Sequence, residues 1–287
     1  MNPEISLLLA MSCSACMALA LRLFKTEENN RYGIILGNYL TCTLTGFLFV
    51  SRKAMILQAQ PAAYLCGLAG GFLFVLSLVC IQTSISRNGA ILSSAFSKLG
   101  LLVPLALSLL FFHESPGLLQ IIGLVLVIIS IRFFSGRRKA DETAGDISLL
   151  LLAAVLFTNG MSDSMAKIYS IYGSPREEPV YFFILFFISS LITLFLLVRE
   201  TKKSGKRVSM RDLSAGILVG IPNYFSSALL LKALCGIPAF IVYPVFSSGT
   251  ILIVTVISSL FFREKLNRRQ LMGLVLVLIS IVFLNLS

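Results

Sequence analysis

Ten apolar segments, each about long enough to cross a lipid bilayer, constrain this chain more than any other feature. A helix needs about 20 apolar residues to span a hydrocarbon core of ~30 Å. Cutting the sequence at charged residues, Pro and Gly predicts spans near residues 4–24, 32–51, 61–83, 89–112, 117–135, 147–171, 179–199, 212–234, 238–262 and 268–286. The connections are short and leave no room for a soluble domain, so we expect an all-α polytopic membrane protein.

The composition supports membrane burial and argues against a nucleic-acid partner. Of the 287 residues 57% are apolar and 13% are charged, which is more apolar surface than a soluble core of this size can bury. The net charge of +11 comes from short basic runs between apolar segments, such as 137–139, and not from one continuous face. No cleavable signal pattern begins the sequence, so we expect the first segment to stay as a helix.

The two halves of the chain repeat one another. Residues 89–133 align without gaps on 239–283, an offset of 150, with 19 identities in 45 positions. Polar anchors recur: Phe-Phe-x-Glu at 111–114 and 261–264, and Gln-x-x-Gly at 120–123 and 270–273. Five predicted spans separate each helix from its copy, and because five is odd the copies cross the membrane in opposite directions. We therefore expect ten transmembrane helices as two inverted five-helix repeats, residues 1–135 and 147–287, an architecture that alternating-access carriers use.

These features together resemble the EamA-like branch of the drug/metabolite transporter superfamily. The ten spans, the duplication and the Phe-x-Glu…Gln-x-x-Gly signature at the helix junctions carry the resemblance. It implies carrier activity on a small-molecule substrate, with the first, third and fourth helices of each half around a central cavity. The resemblance also implies that both termini lie in the cytoplasm.

The distribution of Lys and Arg predicts the opposite orientation. The odd-numbered loops and their helix ends hold 18 Lys and Arg, whereas the even-numbered loops hold only Arg52, Lys53 and Arg176. The positive-inside rule therefore puts the basic runs near 137–139 and 202–207 in the cytoplasm and both termini outside. Either orientation fits a multi-pass protein of the cytoplasmic (inner) membrane.

Two lysines inside predicted spans are candidates for substrate binding, because a charge in the bilayer is costly and usually functional. Lys98 lies about ten residues into its span, and its counterpart in the second copy is Ser248. Since the fold does not require a cation at this position, we predict that Lys98 binds substrate. Lys232 aligns with Gln82, and here substrate binding and snorkelling to the head groups both stay open.

One polar face of the sixth predicted span supplies two more candidates. Asp163 stands one helical turn from both Asn159 and Lys167, so the three share a face. An Asp163 to Lys167 pair is the alternative to a substrate role for Asp163, and snorkelling explains Lys167 best. Asn159 lies nearer the membrane middle without such a partner in its helix, which favours substrate binding.

The eighth and ninth predicted spans contribute the last two candidates. Gly216 and Gly220 form a face of small residues suited to close helix contact. Pro222 then removes a backbone hydrogen bond beside Asn223, which predicts a kink that binds substrate. In the ninth span Tyr243 offers both a stacking face and a hydroxyl donor.

Motifs of enzymatic chemistry are absent from the sequence. His113 is the one histidine, which rules out a multi-histidine metal site. The Cys13 and Cys16 pair has no neighbouring base and is best explained as helix packing. Glu114 and Glu264 lie at helix junctions, where we interpret them as capping or pairing groups. We expect no catalytic residues, no metal site and no cofactor.

The sequence thus predicts a secondary transporter for a small polar metabolite, such as an amino acid or organic anion. The predicted substrate-binding residues are Lys98, Asn159, Asp163, Asn223, Lys232 and Tyr243. Two lysines against one aspartate make such a site net positive, which favours a carboxylate or phosphate on the substrate. The expected partners are the lipid bilayer and a coupling ion, H⁺ or Na⁺, for a monomer or homodimer.

Two alternative functions stay open. A proton-coupled exporter of drugs and other cations would use a carboxylate in the first helix, whose centre at 12–16 reads Ser-Cys-Ser-Ala-Cys. The missing acid counts against this alternative. The second is a membrane protein that transports nothing, which polar residues near the membrane middle disfavour.

Overall fold

The computed structural model describes residues 2–23, 31–112, 114–134, 148–204, 208–261 and 268–285. Within these ranges the secondary structure is helical, without strands. The α-helices are α1 (Pro3–Leu23), α2 (Arg31–Phe49), α3 (Met55–Gln58), α4 (Pro61–Asn88), α5 (Ala90–Leu99), α6 (Leu102–Phe111), α7 (Leu118–Phe134), α8 (Leu149–Tyr172), α9 (Glu178–Ser204), α10 (Met210–Leu234), α11 (Ala239–Phe261) and α12 (Arg268–Asn285). The all-α prediction is confirmed.

Seven of the helices in the described ranges are long and apolar enough to cross a membrane: α1, α2, α4, α8, α9, α10 and α11. Shorter apolar helical stretches cover Phe96–Phe111, Leu118–Ile129 and Leu271–Leu284, within the remaining predicted spans. Large apolar side chains such as Leu48 and Phe195 are more than half exposed, as expected where lipid covers a surface. Ten membrane-spanning helices in two inverted repeats stay a prediction.

The chain folds into two compact units, and each unit draws on both halves of the sequence. The first unit comprises Met1–Val75 and Met165–Cys235, and the second comprises Leu76–Ser164 and Gly236–Ser287. The described parts of both copies of the repeated segment, 89–133 and 239–283, belong to the second unit. They can therefore be compared directly within one folded body.

Close contact between α2 and α10 holds the first unit together. A Cβ atom on Gly216 would come within 2.5 Å of the Ile34 carbonyl oxygen and 2.7 Å of the Gly37 Cα atom. A Cβ atom on Gly220 would meet the Thr41 Cβ atom at 2.6 Å. The predicted close-packing face of Gly216 and Gly220 is confirmed. Because residue numbers rise together along the two helices, α2 and α10 run parallel.

Helix α9 packs in the same unit against α2, in the opposite direction. The hydroxyl oxygens of Thr43 and Ser190 lie 3.2 Å apart. Further along α2, a Cβ atom on Gly46 would meet the backbone nitrogen of Phe183 at 3.1 Å. Residue numbers rise in α2 as they fall in α9, so these two helices are antiparallel.

Helix α9 runs parallel to the part of α4 in this unit. A Cβ atom on Gly67 would meet the Tyr181 carbonyl oxygen at 3.2 Å, and one on Gly71 would meet that of Leu185 at 2.5 Å. The Ser189 hydroxyl donates to the Gly71 carbonyl over 3.1 Å. Contacts at successive turns fix the relative direction of the two helices.

In the second unit a short turn interrupts the fourth predicted span, residues 89–112. Helix α5 ends at Leu99 and α6 begins at Leu102. Pro104 contributes to the break, because it has no N–H to donate to the Gly100 carbonyl and its ring would collide with that carbonyl in a regular helix. The Val103 N–H donates to Gly100 instead, over 2.9 Å, and the chain makes a tighter turn.

The fifth helices of the two copies, α7 and α12, pack against each other in the second unit. A Cβ atom on Gly123 would lie 2.9 Å from the Leu284 side chain and 3.1 Å from the Ser280 carbonyl oxygen. Gly123 belongs to the Gln-x-x-Gly anchor that recurs in both copies. Gly123 thus has a structural role within the anchor, since a side chain at this position would press on α12.

Candidate functional site

Lys98 lies in the last turn of α5, directly before the break. The Gly100 N–H donates to the Ser97 carbonyl over 3.1 Å, and the Leu101 N–H to the Lys98 carbonyl over 3.4 Å. The Lys98 side chain is surrounded by protein atoms and also keeps accessible surface. This combination of depth and access is what a charged group that binds substrate requires.

Asp163, on α8, supplies the opposite charge. The structure brings its carboxylate close enough to the Lys98 ammonium for each charge to influence the other. Lys167, the partner suggested by helical spacing, is 6% exposed and belongs to the first unit, where its charge acts on Cys235. The candidate site thus contains a cation and an anion from different helices.

Asn159 connects α8 to the break in the fourth span. Its side-chain Nδ2 donates to the Ser97 carbonyl over 3.0 Å, and its Oδ1 accepts from the Ser77 hydroxyl over 3.1 Å. The amide orientation follows from chemistry, because a carbonyl can only accept. Both ends of the Asn159 amide are therefore engaged by protein groups.

Tyr243 also reaches α8. Its hydroxyl donates to the backbone carbonyl of Asp163 over 2.7 Å. The Tyr243 side chain, on α11, is buried. Of the six predicted site residues, the structure therefore brings four together in the second unit: Lys98, Asn159, Asp163 and Tyr243.

The other two predicted residues belong to the first unit and lie in separate surroundings. Asn223 is buried, and its Nδ2 donates to the Oδ1 atom of Asn38 over 3.0 Å. The Cys42 thiol lies 3.5 Å from the same Asn38 oxygen and 3.2 Å from the Gly220 carbonyl. The bond from Asn223 to Asn38 joins α10 to α2, so Asn223 contributes to the packing of these two helices.

Lys232 is exposed near the end of α10. Its ammonium acts electrostatically on Glu178, the first residue of α9. The neighbouring Glu177 accepts a hydrogen bond of 2.8 Å from the backbone N–H of Gln60, just before α4. The surroundings of Lys232 are those of a charged cluster at helix ends.

Glu114 caps α11, as the sequence predicts for this junction residue. Its carboxylate accepts from the Ala239 N–H over 2.9 Å, at the start of α11, and from the Ser108 hydroxyl. An acceptor at a helix N-terminus satisfies a backbone donor and complements the helix dipole. An open groove of about 530 Å³ lies beside it, lined largely by apolar residues including Leu118 and Phe240. Glu264 lies outside the described residues.

Some neighbours of the predicted site residues were not singled out from the sequence. Ser77, Gly100 and Asn38 each lie against a predicted site residue, although none is a predicted substrate contact. The spacing Gly100-x-x-x-Pro104 could have identified the break, since Pro disrupts the bond to the carbonyl four residues earlier.

Among the described residues, no group of three or more His, Cys, Asp or Glu could hold a metal ion.

Comparison with known proteins agrees with this arrangement. Residues 146–286 match the sequence model of the EamA-like transporter family. In these residues the chain belongs to the EamA-like family. EamA-like proteins form part of the drug/metabolite transporter superfamily, and membership indicates a multi-pass membrane transporter. The matched residues coincide with the second predicted repeat.

Two similar proteins cover nearly the whole chain. An uncharacterized protein of Haemophilus influenzae is 24% identical over 286 residues, which is 96% of each chain. One solved crystal structure of a protein superposes with a TM-score of 0.77 at 11% identity, covering 99% of this chain and 96% of the other. At that identity the second likeness shows the fold alone.

Proposed function

We propose that this EamA-like protein is a secondary transporter that moves a small polar metabolite across the cytoplasmic membrane by alternating access. The family supplies the class of protein, a membrane transporter. The substrate, the mechanism and the membrane are our proposal. It includes ten membrane-spanning helices in two inverted repeats, residues 1–135 and 147–287.

The directions of the packed helices in the first unit support the proposed number of spans. With ten spans, α2, α4, α9 and α10 are the second, third, seventh and eighth. Helices of equal parity run parallel and those of unequal parity run antiparallel. The contacts agree, since α2 is parallel to α10, α4 is parallel to α9, and α2 is antiparallel to α9. The broken α5 and α6 together then count as one span.

Lys98 is the single observation that carries the proposed substrate site. It is a cation about halfway along a predicted span, it has accessible surface, and it lies at a helix break. Broken helices in membrane carriers expose backbone groups where substrates and ions bind. A lipid-facing lysine at this depth would be strongly disfavoured, so a polar ligand space is the better explanation.

The charges of the described site favour a zwitterionic substrate, such as an amino acid, over a simple organic anion. Lys98 has Asp163 as its opposite charge, and Lys232 acts on Glu178. The positive excess expected from the sequence is therefore offset locally. An anion that took Lys98 would leave the Asp163 carboxylate uncompensated at low dielectric, which is costly. A zwitterion offers a carboxylate to Lys98 and an ammonium to Asp163.

A thermal-shift screen of purified protein with matched analogues tests this choice. For each amino acid, the set includes the amine without its carboxylate and the acid without its amine. We expect the intact amino acid to raise the unfolding temperature most, and proteoliposomes to take up the same compound in labelled form. Stabilisation by quaternary ammoniums with proton-driven uptake would instead establish the cation exporter. Proteoliposomes that take up no screened compound would favour a protein that transports nothing.

Imposed gradients in the same proteoliposomes test the coupling ion. Uptake is measured with an inward H⁺ gradient, with an inward Na⁺ gradient and with neither. Acceleration by one gradient identifies that ion as coupled. Equal rates in all three conditions would indicate an exchanger or a facilitator.

A further inference from the structure

Asn159 has a different environment from the other predicted site residues. Lys98 has accessible surface, whereas both ends of the Asn159 amide are bonded to protein, to Ser77 and to the Ser97 carbonyl. Each bond uses one of the two N–H groups or one of the two lone pairs of the amide. The contacts of Asn159 in the structure are thus with protein groups, which favours a role in holding the helix break.

The acceptor of the Asn159 bond is significant. The Ser97 carbonyl belongs to the last turn of α5, directly before Lys98, and it also accepts the Gly100 N–H. In a regular helix this carbonyl would accept from the Leu101 N–H, which here donates to the Lys98 carbonyl over 3.4 Å instead. A side-chain donor from α8 thus fixes the turn of α5 that bears the candidate substrate-binding lysine.

The backbones of the two helices also approach closely at this point. A Cβ atom on Gly160 would collide with the Gly100 carbonyl oxygen and lie 2.5 Å from the Val103 Cβ atom. A Cβ atom on Gly100 would lie 3.0 Å from the Asn159 Nδ2 atom and 3.1 Å from the Gly160 nitrogen. The break and the Asn159 amide form one tightly packed junction.

We propose that Asn159 is a positioning residue that aims Lys98 by holding the break between α5 and α6, with Ser77 orienting its amide. This inference rests on the proposed function in that Lys98 contacts the substrate. Without the bond to Ser97, the end of α5 turns more freely about the break. The Lys98 ammonium then samples directions that do not serve binding.

Chemical labelling of Lys98 tests the inference without any substrate. Purified protein in nanodiscs is reductively methylated, and the extent at each lysine is followed over time by mass spectrometry. We expect Asn159→Leu, which has nearly the same shape without the amide, to change the Lys98 labelling rate about fivefold, the factor expected for one lost hydrogen bond. Ser77→Ala should give a smaller change in the same direction.

Two controls accompany the labelling. Thr158→Val alters the residue beside Asn159, whose hydroxyl donates within its own helix to the Ala154 carbonyl over 2.7 Å. It should leave Lys98 labelling unchanged. Lys232, an exposed lysine of the first unit, should be labelled equally in every variant.

The possible results separate this inference from the proposed function. Unchanged Lys98 labelling in Asn159→Leu, together with weaker substrate binding, would mean that Asn159 contacts the substrate directly and would overturn the inference. A change at Lys232 as large as that at Lys98 would also overturn it. If Asn159→Leu cannot be purified, unchanged Lys98 labelling in folded Ser77→Ala has the same consequence. A selective Lys98 change in a protein that transports nothing would support positioning and reject only the proposed function.

Discussion

The fourth helices of the two copies have related sequences but different shapes. In the first copy the helix is broken between α5 and α6, whereas α11 runs without a break from Ala239 to Phe261. At the offset of 150, Thr250 and Val254 occupy the positions of Gly100 and Pro104. The residue that interrupts the hydrogen bonding of the first copy is absent from the second. Proline alone does not decide continuity, because α11 contains Pro244 and α10 contains Pro222 without a break. The first copy differs in combining Pro104 with Gly100.

The candidate ligand group differs at the same place. Where the first copy has Lys98, the second has Ser248, which is buried and donates to the Pro244 carbonyl of its own helix over 2.6 Å. A hydroxyl satisfied within its helix needs neither water nor a counter-ion. The comparison indicates that the duplicated helix was specialised in one copy, where a break and a charge occur together.

Replacing Lys98 by the residue of the other copy should have the largest effect. We expect Lys98→Ser to insert and purify normally, because the fold accepts serine at the equivalent position. Truncating one partner of a desolvated charge contact costs about 2–5 kcal/mol, so substrate affinity should fall roughly thirtyfold or more. Uptake into proteoliposomes and the thermal shift with substrate measure this loss.

Two companion variants decide how the Lys98 result is read. Lys98→Arg keeps the charge but replaces a compact ammonium by a planar fork, so we expect partial activity with altered selectivity. If Lys98→Ser aggregates and a second change at Asp163 restores folding, the lysine is a structural counter-ion. The charge argument for the substrate would then fail.

Exchanging the proline between the copies tests the cause of the break. Val254→Pro introduces a second proline into the continuous α11, beyond Pro244, and should lower the free energy of unfolding by about 3 kcal/mol or more. Pro104→Val should cost no stability, because the new N–H can donate to the Gly100 carbonyl. Thermal unfolding of both variants in the same detergent gives the comparison. Equal destabilisation by the two would show that proline is not what distinguishes the copies.

A smaller loss should follow from separating the junction at Gly160. Gly160→Ala puts a methyl group against the Gly100 carbonyl, and overpacking of this kind costs about 1–3 kcal/mol. Gly117→Ala is the matched control in the same unit, since its nearest neighbour would be the Gln120 Oε1 atom at 3.9 Å. The unfolding temperatures should differ between the two variants. An unaffected Gly160→Ala would show that the junction is loosely packed.

The last prediction concerns the orientation of the protein in the membrane, and its two cysteine substitutions should leave transport unchanged. Arg52 and Lys202 are exposed and 150 residues apart, so inverted repeats put them on opposite faces of the membrane. In a background without native cysteines, we expect Arg52→Cys to react with an impermeant thiol reagent on intact cells and Lys202→Cys to stay unlabelled. The reverse result would keep the inversion and place the termini inside. Labelling of both would contradict the inverted repeat.

Sequence reasoning succeeded where a pattern extends along a helix. The apolar segments predict the helices, and Gly216 and Gly220 predict a close helix contact that α2 supplies. The position of Glu114 at a helix junction predicts a cap, although its target, Ala239 in the other copy, could not be named. Periodicity and junction chemistry are local properties, which one sequence contains in full.

The pairing of polar groups was less accessible to the same reasoning. Helical spacing suggests Lys167 for Asp163, whereas the structure brings Lys98 near it from another helix. Asn223 likewise bonds to Asn38, which lies 185 residues earlier. Such partners depend on which helix faces are neighbours, and a single sequence does not contain that information. The break at Gly100 is different, because Gly100 and Pro104 are both visible in the sequence.

The contact between α2 and α10 has a consequence for how the protein is made. Helix α2 leaves the ribosome long before α10 exists, yet in the folded first unit the two helices touch backbone to backbone at Gly37 and Gly216. Until α10 has been synthesised, Gly37 of α2 cannot make this contact. A chain that stops after residue 164 therefore lacks the whole second segment of the first unit, Met165–Cys235. Assembly of that unit must wait until the eighth predicted span has entered the membrane.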